Sequence, residues 1–331
     1  MLPFFTSLFG ILLLYQFIPG LCRGLSNMIS NDFFKTTKIL DGGMGQLLLA
    51  RGVVPRGTLW SASALVDPAY HGILLDAHLD YIAAGADVIV TSTFTTRRGR
   101  LAENNVADQF EALNIKAGEI ARQAKAQHPH VMVAGSLPPQ HLTYEPDSRP
   151  RHVIQRDFYD QACLLDPFVD FFYFDAISSL TEFECGIAAI ESFNKPFLLG
   201  AHMSNGHHLP SGEDLLDLHA IAQHPHALGI ILACVSPETI TTNLSKLATL
   251  NIPFGFKMNA FKTTAPKQGY TQCYKASAAA NPNQFLGKRT DLSPQKVVEF
   301  VRQFNDAGAT ILGGCCETTP AHIKAIKEMI G

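Results

Sequence analysis

Three cysteines occupy positions from which they could bind one metal ion. Cys315 and Cys316 are adjacent and follow Gly313 and Gly314 at the end of a predicted strand, while Cys234 ends another predicted strand. A free cysteine is most often a small buried hydrophobic residue, and a disulfide between neighbouring cysteines is strained and rare. Three thiolates that reach one point would instead suit Zn²⁺, with a fourth position left open. The pair alone leaves these alternatives open, and the third cysteine favours the metal.

A zinc ion with three thiolate ligands would favour one kind of chemistry. Such a site carries a net negative charge, so it is a weak Lewis acid towards a carbonyl group or a water molecule. A thiol that takes the fourth position binds as its thiolate, and the electron-rich sulfur ligands leave that thiolate nucleophilic. The pattern therefore predicts transfer of a methyl group from a cationic donor onto a thiol.

The elements that position these cysteines alternate between strands and helices from residue 36 onward. Most of the predicted strands are nearly continuous apolar runs, which is typical of parallel strands covered on both faces. The predicted strands are 38–41, 87–93, 131–136, 169–175, 197–203, 228–234, 253–257 and 309–314. The predicted helices are 68–84, 107–126, 155–167, 180–193, 213–222, 237–250, 294–307 and 320–330. This alternation predicts an α/β protein, a (β/α)₈ TIM barrel in a single domain.

A doubly wound α/β fold is the alternative to the barrel. It would need a glycine-rich turn after the first strand, where the sequence DGGMG lies at 41–45. That segment lacks the GxGxxG spacing, and no acidic residue follows it at the required distance. The barrel is therefore favoured, and its chemistry is expected at the carboxyl ends of the strands. The candidate residues at those ends are Asp41, Thr93, Asp175, Cys234, Asn259, Cys315 and Cys316.

Composition and charge exclude several classes of protein. The 331 residues are 47% hydrophobic and 17% charged, so a large core is possible and disorder is not expected. The net charge is −3 and no basic stripe is present, which argues against nucleic acid and favours small molecules as partners. The chain has 7 cysteines, an odd number that fits a disulfide framework poorly. We interpret Cys163, Cys185 and Cys273 as packed or incidental, and we expect a cytoplasmic location because oxidation would threaten the adjacent cysteine pair.

Residues 1–27 form an apolar segment that precedes the predicted domain at 28–331. The apolar run at 4–18 is shorter than the roughly 20 residues of a membrane span, so a membrane protein is not expected. No Lys or Arg precedes the run, so the positively charged start of a signal peptide is missing. Three interpretations stay open, which are a signal peptide, a membrane anchor and a translation start at Met28.

Basic and acidic residues near the strand ends offer further candidates. His202 ends the fifth predicted strand, and His207 and His208 follow it in a loop where solvation is a simpler interpretation than metal binding. An arginine cluster follows the second strand, and a solvated helix start is a simpler interpretation for it than recognition of a substrate carboxylate. That cluster consists of Arg97, Arg98 and Arg100. Asp41 and Asp175 could form an acid–base pair, although binding of a substrate ammonium group explains them more simply.

Several segments of the chain resemble the homocysteine S-methyltransferase family. GGCCETTPAHI at 313–323 resembles the terminal zinc motif of that family, and Cys234 followed by Pro237-Glu238 resembles its third ligand site. LDGGMG at 40–45 and GADVIVTSTF at 85–94 resemble its first two strands. LWSA at 59–62 resembles the branch that uses S-methylmethionine or S-adenosylmethionine. The similarity covers about residues 36–330.

The resemblance implies a zinc-dependent methyltransferase with a (β/α)₈ barrel. Cys234, Cys315 and Cys316 would hold Zn²⁺, and homocysteine would bind through its sulfur and become methionine. The implied substrate contacts are Asp41, for the amino group, with Thr93, Asp175 and Asn259. Cobalamin-dependent methionine synthases carry further domains and betaine-dependent enzymes a longer C-terminal arm, so a sulfonium donor is expected, with S-methylmethionine first. A monomer or a small homo-oligomer is expected.

The chain departs from the family where the amino acid should bind. Asp175-Ala176 stands in place of Glu-Thr, and Ala233 stands in place of Asn before the third ligand. FKMNAF at 256–261 replaces Tyr-Pro-Asn-Ser-Gly-Glu and keeps only the Asn, while LPP at 137–139 replaces a Gly-Pro turn. Changes around a metal site can cost about 10–100-fold in affinity or activity. Two alternatives therefore remain, methyl transfer to a different thiol or selenol and a non-catalytic zinc- or amino-acid-binding protein.

Overall fold

The structure is a computed structural model that describes residues 29–203, 206–264 and 283–331. The apolar segment at 1–27 and Cys273 lie outside these ranges, so the interpretations given for them stay predictions. Within the described ranges, no helix is both long enough and apolar enough to cross a membrane.

Eight parallel strands form the barrel. They are β1 (Lys38–Ile39), β2 (Val88–Val90), β3 (Met132–Leu137), β4 (Phe171–Ile177), β5 (Phe197–Ala201), β6 (Ala227–Val235), β7 (Phe254–Met258) and β8 (Ile311–Gly314). Each strand pairs with the next in sequence from β2 to β8, and β8 pairs with β1. A single parallel bridge between Leu40 and Val88 joins β1 to β2 and completes the ring. The predicted (β/α)₈ barrel is confirmed.

Helices connect the strands on the outside of the barrel. They are α1 (Met44–Ala50), α2 (Ser63–Val66), α3 (His71–Ala83), α4 (Arg98–Glu103), α5 (Phe110–Gln127), α6 (Arg151–Leu165), α7 (Leu180–Ile190), α8 (His219–Ala222), α9 (Pro237–Thr249), α10 (Pro294–Asp306) and α11 (Pro320–Ile330). Helix α11 begins and ends where the sequence predicts. Helices α1, α2 and α4 were not predicted, because each has only 4 to 7 residues and shows little of the helical period.

Two helices that follow strands at the carboxyl end begin with the same cap. The Ser236 hydroxyl accepts a hydrogen bond from the Thr239 amide, and the Ser293 hydroxyl accepts one from the Lys296 amide. In both cases proline follows the serine, where its missing amide hydrogen has no cost for the helix. These caps fix the directions in which the chain leaves β6 and enters α10.

The core has an inner and an outer layer. Inside the barrel, side chains such as Tyr173, Leu198 and Ile231 are fully buried against one another. At the end opposite the cysteines, Phe34 packs edge-on against Phe171 with ring centroids 5.9 Å apart. The outer layer lies between the strands and the helices and contains most of the remaining apolar residues. Because the interior is filled, the space for a substrate lies at the carboxyl end of the strands.

Two strands depart from regular pairing at that end. The register between β4 and β5 shifts between Phe174 and Ile177, and the register between β6 and β7 shifts between Ala233 and Val235. Such bulges redirect side chains and are common next to active sites. The residue at the β6 bulge is Cys234, and its backbone is left-handed, with φ 56°.

Candidate active site

The three predicted cysteines meet at the carboxyl end of the barrel. Sγ of Cys316 lies 3.7 Å from Sγ of Cys234 and 3.9 Å from Sγ of Cys315, and all three sulfur atoms lie within 4.8 Å of one another. Sulfur ligands about 2.3 Å from one tetrahedral zinc ion would lie about 3.8 Å apart. The spacing therefore fits a single metal ion. Within the described ranges this is the one group of three or more clustered metal-ligating side chains.

Local backbone geometry directs the sulfur atoms towards one point. Cys234 has φ 56° at the β6 bulge, a conformation that costs a residue other than glycine on the order of 1–3 kcal/mol. After β8, the Cys315 amide donates to the Met258 carbonyl at 2.6 Å, and the Thr318 hydroxyl donates to the Cys315 carbonyl at 2.6 Å. A Cβ atom on Gly314 would lie 2.1 Å from Oγ1 of Thr318, so this turn requires glycine. The turn and the bulge together bring the cysteines within reach of one ion.

The three thiols have different surroundings. Burial opposes ionisation of Cys234, but hydrogen bonds from Cys315, Cys316 and Tyr144 hold its pKa well below the usual value. The Tyr144 hydroxyl lies 2.9 Å from Sγ of Cys234, and the Asn259 amide donates to the Cys234 carbonyl at 2.5 Å. The neighbouring Cys234 sulfur raises the pKa of both Cys315 and Cys316. One thiolate is therefore stabilised by the protein, and a cation would be needed to hold all three.

A cavity of about 1000 Å³, which includes the part open to solvent, adjoins the cysteines. Aromatic side chains contribute to its wall, and these are Trp60, Phe94 and Tyr144. Ionisable side chains other than the cysteines also line it, and these are Asp41, Arg100, Asp175 and Lys257. The cavity thus combines a sulfur cluster, aromatic surface and charged groups of both signs.

Asp41 and Lys257 form a buried ion pair in this cavity. Nζ of Lys257 lies 2.6 Å from Oδ1 of Asp41, and the Val90 amide donates to Oδ2 of Asp41 at 2.8 Å. Asp41 is 1% exposed and Lys257 is 5% exposed. Burial opposes the positive charge of Lys257, but Asp41, Asp175 and Cys315 together raise its pKa. The lysine therefore stays charged, and the predicted ammonium-binding carboxylate already has a cation beside it.

Asp175 is the second carboxylate of the cavity. The Ser136 hydroxyl donates to its Oδ2 at 3.0 Å. Burial raises the pKa of Asp175 to about 7, while Lys257 and the Ser136 hydrogen bond act in the opposite direction. Asp175 therefore lines the cavity as Asp41 does, but within the described ranges no cationic group lies as close to it as Lys257 lies to Asp41.

The whole barrel matches one protein family. Residues 38–330 match the family described as Homocysteine S-methyltransferase. The chain belongs to the homocysteine S-methyltransferase family. This confirms the resemblance that the cysteine motif and the first two strands indicate.

Relatives with this name or a related one cover most of the chain. The homocysteine S-methyltransferase of Escherichia coli strain K12 is 28% identical over 310 residues, which is 87% of this chain and 94% of that protein. The selenocysteine methyltransferase of Astragalus bisulcatus is 23% identical over 345 residues, 92% of this chain and 97% of that one. The crystal structure of the homocysteine methyltransferase MmuM from Escherichia coli in its metallated form has a TM-score of 0.70 and 25% identity. It covers 88% of this chain and 96% of that chain.

Two residues that the family resemblance implies as substrate contacts lie outside the cavity lining. The Thr93 hydroxyl donates to the Ser136 carbonyl at 2.8 Å, and its oxygen lies 2.9 Å from the Thr91 hydroxyl. Asn259 bonds to the Cys234 carbonyl, and its own side-chain oxygen accepts from the Phe261 amide at 3.0 Å. Both side chains therefore stabilise the backbone that carries the site. Asp41 and Asp175 do line the cavity.

The arginine cluster is not the solvated helix start that its sequence indicates. Only Arg98 is exposed, and it pairs with Asp160 at 2.8 Å. Arg97 is fully buried and donates to the Pro139 carbonyl and, at 2.7 Å, to the Thr143 hydroxyl. Arg100 is 7% exposed and lines the cavity. Sequence pattern alone missed the burial of Arg97 because its partners Pro139 and Thr143 are distant in sequence.

His202 is also buried, in contrast to the exposed His207 and His208. Its ring stacks on Tyr144 with centroids 4.0 Å apart, and Nδ1 lies 3.1 Å from the Ala233 carbonyl. Burial lowers the pKa of His202 to about 4, so the ring is neutral and supports the tyrosine beside Cys234.

Tyr144 and Lys257 are the residues of the site that sequence reasoning missed as candidates. Tyr144 lies in the connection between β3 and α6, where no periodic pattern marks it. Lys257 does carry a signal, because it is a lysine inside an otherwise apolar strand, FGFKM. A charged residue in a strand covered on both faces needs a buried partner. That rule would have pointed to a carboxylate such as Asp41.

Proposed function

We propose that this chain transfers a methyl group from a sulfonium donor to the sulfur of L-homocysteine and produces methionine. The observation that carries the proposal is the spacing of Cys234, Cys315 and Cys316 at the edge of a cavity, in a member of the homocysteine S-methyltransferase family. Three thiol donors with an open side fit a reactive metal site better than a structural one, which would be closed by a fourth ligand.

We propose Zn²⁺ as the resident metal, held by these three cysteines. Thiolates are soft donors that suit zinc, and the distances between the sulfur atoms match those between ligands of a tetrahedral zinc ion. Zinc bound there would supply a positive charge that lowers the pKa of the acceptor thiol, so that the acceptor sulfur reacts as a thiolate. Of the protein's own groups, Tyr144 contributes by donating to Cys234, which stabilises the negative charge on that ligand.

The acceptor and the donor take different parts of the cavity in this proposal. The acceptor thiol faces the cysteines, and its charged end reaches the group formed by Asp41, Lys257 and Asp175. The donor's sulfonium faces Trp60 and Phe94, since a cation is attracted to aromatic faces within about 6 Å. S-methylmethionine is the first donor to test and S-adenosylmethionine is the alternative.

The reaction balances without a further reactant. The acceptor thiol gives up its proton to solvent, and its sulfur forms a bond to the methyl carbon. The bond between that carbon and the donor's positively charged sulfur breaks at the same time. The donor leaves as a neutral thioether, which is methionine itself when S-methylmethionine is the donor.

The test measures methionine formation by the full chain, reduced and loaded with zinc. L-Homocysteine and S-methylmethionine are supplied, and methionine is quantified by mass spectrometry. We expect product with the wild type and none above background with Cys316→Ser, which should also lose zinc. Cys163→Ser is the matched control, because Cys163 is exposed and lies away from the cluster, and it should keep zinc and activity.

Other outcomes would change the proposal in defined ways. Zinc bound at one per chain, without methionine from either donor, would overturn the proposal and favour a zinc- or amino-acid-binding role. Methyl transfer to selenocysteine at a higher rate than to homocysteine would change the acceptor and keep the chemistry. The selenocysteine methyltransferase among the relatives is the reason to include that selenol.

We propose a cytoplasmic location for the active protein. Cys234, Cys315 and Cys316 are free thiols in the structure. An oxidising compartment would convert clustered thiols to disulfides, which cannot bind zinc. A reducing compartment keeps the three donors available.

A further inference from the structure

Lys257 crosses the carboxyl end of the barrel to reach Asp41. It pairs with Ala233 of β6 on one side and Gly313 of β8 on the other. A Cβ atom on Gly313 would lie 3.3 Å from Cγ of Lys257 and 2.9 Å from Cβ of Leu40. Glycine at this position therefore leaves room for the lysine side chain to pass towards β1.

The ion pair is not explained by stability. Taking two charges out of water is costly, and replacing a buried ion pair by apolar residues of similar size is often neutral or stabilising. The barrel interior beneath the pair is apolar, so the two charges are an exception among their buried neighbours. A buried pair that lines a cavity beside a metal-binding cluster instead suggests a role in binding a charged ligand.

The hydrogen-bonding capacity of the pair is used unevenly. Oδ1 of Asp41 accepts from Lys257 and Oδ2 accepts from the Val90 amide, so each oxygen has a donor. An ammonium group carries three donors, and the described contacts of Lys257 use one of them, at Asp41. Asp175, in contrast, accepts from the Ser136 hydroxyl, has the Tyr173 hydroxyl beside it, and faces the same cavity. The cavity thus offers a cation with free donors next to a carboxylate with free acceptor positions.

We propose that Lys257 binds the carboxylate of the thiol acceptor and is a specificity-determining residue, while Asp175 takes the acceptor's ammonium group. The inference rests on the proposed function, since it assigns the two charged ends of the acceptor. It also defines the acceptor class. Homocysteine, which carries both charged groups, is bound well, and a thiol that lacks the carboxylate loses its contact with Lys257 and is bound poorly. Asp41 then acts as a positioning residue that holds Lys257.

The test measures binding of three thiols to the full chain loaded with Co²⁺. The cysteine thiolates give bound Co²⁺ a charge-transfer absorption that changes when a fourth thiolate binds, so binding is read from that change without a methyl donor and without turnover. The thiols are L-homocysteine, 4-sulfanylbutanoate, which lacks the amine, and 3-sulfanylpropylamine, which lacks the carboxylate. Because a hydrogen bond between charged groups contributes about 1.5–3 kcal/mol, we expect 3-sulfanylpropylamine, which loses the contact with Lys257, to bind about 10- to 100-fold more weakly than L-homocysteine.

Variants of the ion pair separate recognition from folding. Lys257→Met should weaken homocysteine and 4-sulfanylbutanoate by about tenfold or more and leave 3-sulfanylpropylamine unchanged or tighter. Lys257→Arg keeps the charge and should restore most of the preference for the carboxylate. If Lys257→Met is unstable because Asp41 is left unpaired, the double variant with Asp41→Asn removes both charges and should show the same loss of preference.

The controls make each result decisive. Lys195→Met removes another partly buried lysine, whose Nζ lies 2.9 Å from Oδ1 of Asp166. That pair lies away from the cavity, so the variant should leave the relative affinities for the three thiols unchanged. One Co²⁺ per chain in every variant shows that the cysteines are intact. Equal affinity of the wild type for homocysteine and 3-sulfanylpropylamine, or equal weakening of all three thiols by Lys257→Met, would overturn the inference. If the preference is present but no methionine forms, the proposed function fails and the inference stands.

Discussion

At the scale of single residues, three of the side chains that line the cavity belong to residues with a left-handed backbone. Trp60 has φ 48°, Tyr144 has φ 64° and Cys234 has φ 56°, and all three line the cavity. Residues other than glycine rarely adopt this conformation, and it persists where the surrounding structure requires it. In this site the left-handed conformation directs an aromatic ring, a hydroxyl group and a thiol into the cavity. The position of the Trp60 ring is the simplest of the three to test.

Gly45→Ala should displace Trp60 and weaken donor binding. A Cβ atom on Gly45 would lie 2.1 Å from Cε2 of Trp60, so the indole must move. If the indole stacks on the sulfonium, KM for the donor should rise about tenfold, while zinc content and the affinity for homocysteine stay unchanged. Steady-state kinetics with S-methylmethionine measures the effect. Gly72→Ala is the matched control, because a Cβ atom there meets open space, and an unchanged KM in both variants would refute a role for Trp60.

At the scale of elements, buried ionisable residues lie where α7 approaches the connection after β3. Glu182 lies in the first turn of α7, where Ser179 caps the helix and donates to the carboxyl at 2.8 Å. Arg97 holds the connection that carries Thr143 and Tyr144. Burial raises the pKa of Glu182 to about 8, although the Ser179 hydrogen bond and the charge of Arg97 oppose the shift. The carboxyl is therefore neutral in the folded protein at neutral pH.

The raised pKa of Glu182 predicts a loss of stability as the pH rises. The pKa of the folded state, about 8, lies above the usual value of 4.5, so the folded state keeps a proton that the unfolded state releases between these values. The contribution of this group is fully present below about pH 4.5 and is lost as the pH rises to about 8. Glu182→Gln removes the titration, and urea unfolding at pH 5 and pH 8 should show it about 3 to 4 kcal/mol more stable relative to wild type at pH 8 than at pH 5. Parallel pH profiles of wild type and variant would contradict the assignment.

At the scale of the whole molecule, the three clustered cysteines come from strands that are not neighbours. Cys234 belongs to β6, and Cys315 and Cys316 follow β8, so β7 lies between the two sources. An ion held by all three would therefore link parts of the ring that backbone hydrogen bonds do not join directly. Ligand binding to the folded state alone raises stability by mass action.

Zinc should accordingly raise the melting temperature, and removal by a chelator should lower it. Free zinc at 100 times its Kd contributes about 2.7 kcal/mol, which corresponds to a shift of about 4 °C for a chain of this size. Differential scanning calorimetry with and without chelator measures the shift. Cys316→Ser should show little response to zinc, while Cys163→Ser should respond as the wild type does. A shift of the same size in both variants would place the stabilising zinc elsewhere.

Much of the fold could be predicted because its signals are local. The strands are short apolar runs between helices, and Ser236 and Ser293 mark helix starts by their own side chains. The cysteines were recognisable because two are adjacent behind two glycines and the third follows a strand of the same predicted barrel. Each of these signals depends on residues a few positions apart, which a sequence displays directly. The resemblance of the terminal motif to one family then extended them to an activity.

The tertiary structure decided which side chains face the substrate. Asp41 and Lys257 are far apart in sequence, and only closure of the ring between β1, β8 and β7 brings their charges to 2.6 Å. Thr93 was expected at the end of the second strand, but β2 ends at Val90, and the Thr93 hydroxyl donates to the Ser136 carbonyl and lies outside the cavity lining. A strand pattern specifies that a side chain alternates between faces, whereas the partner it meets depends on the register and bulges of neighbouring strands. The ion pair at Lys257 is therefore a property of the closed barrel, and the cysteine pair is a property of the chain.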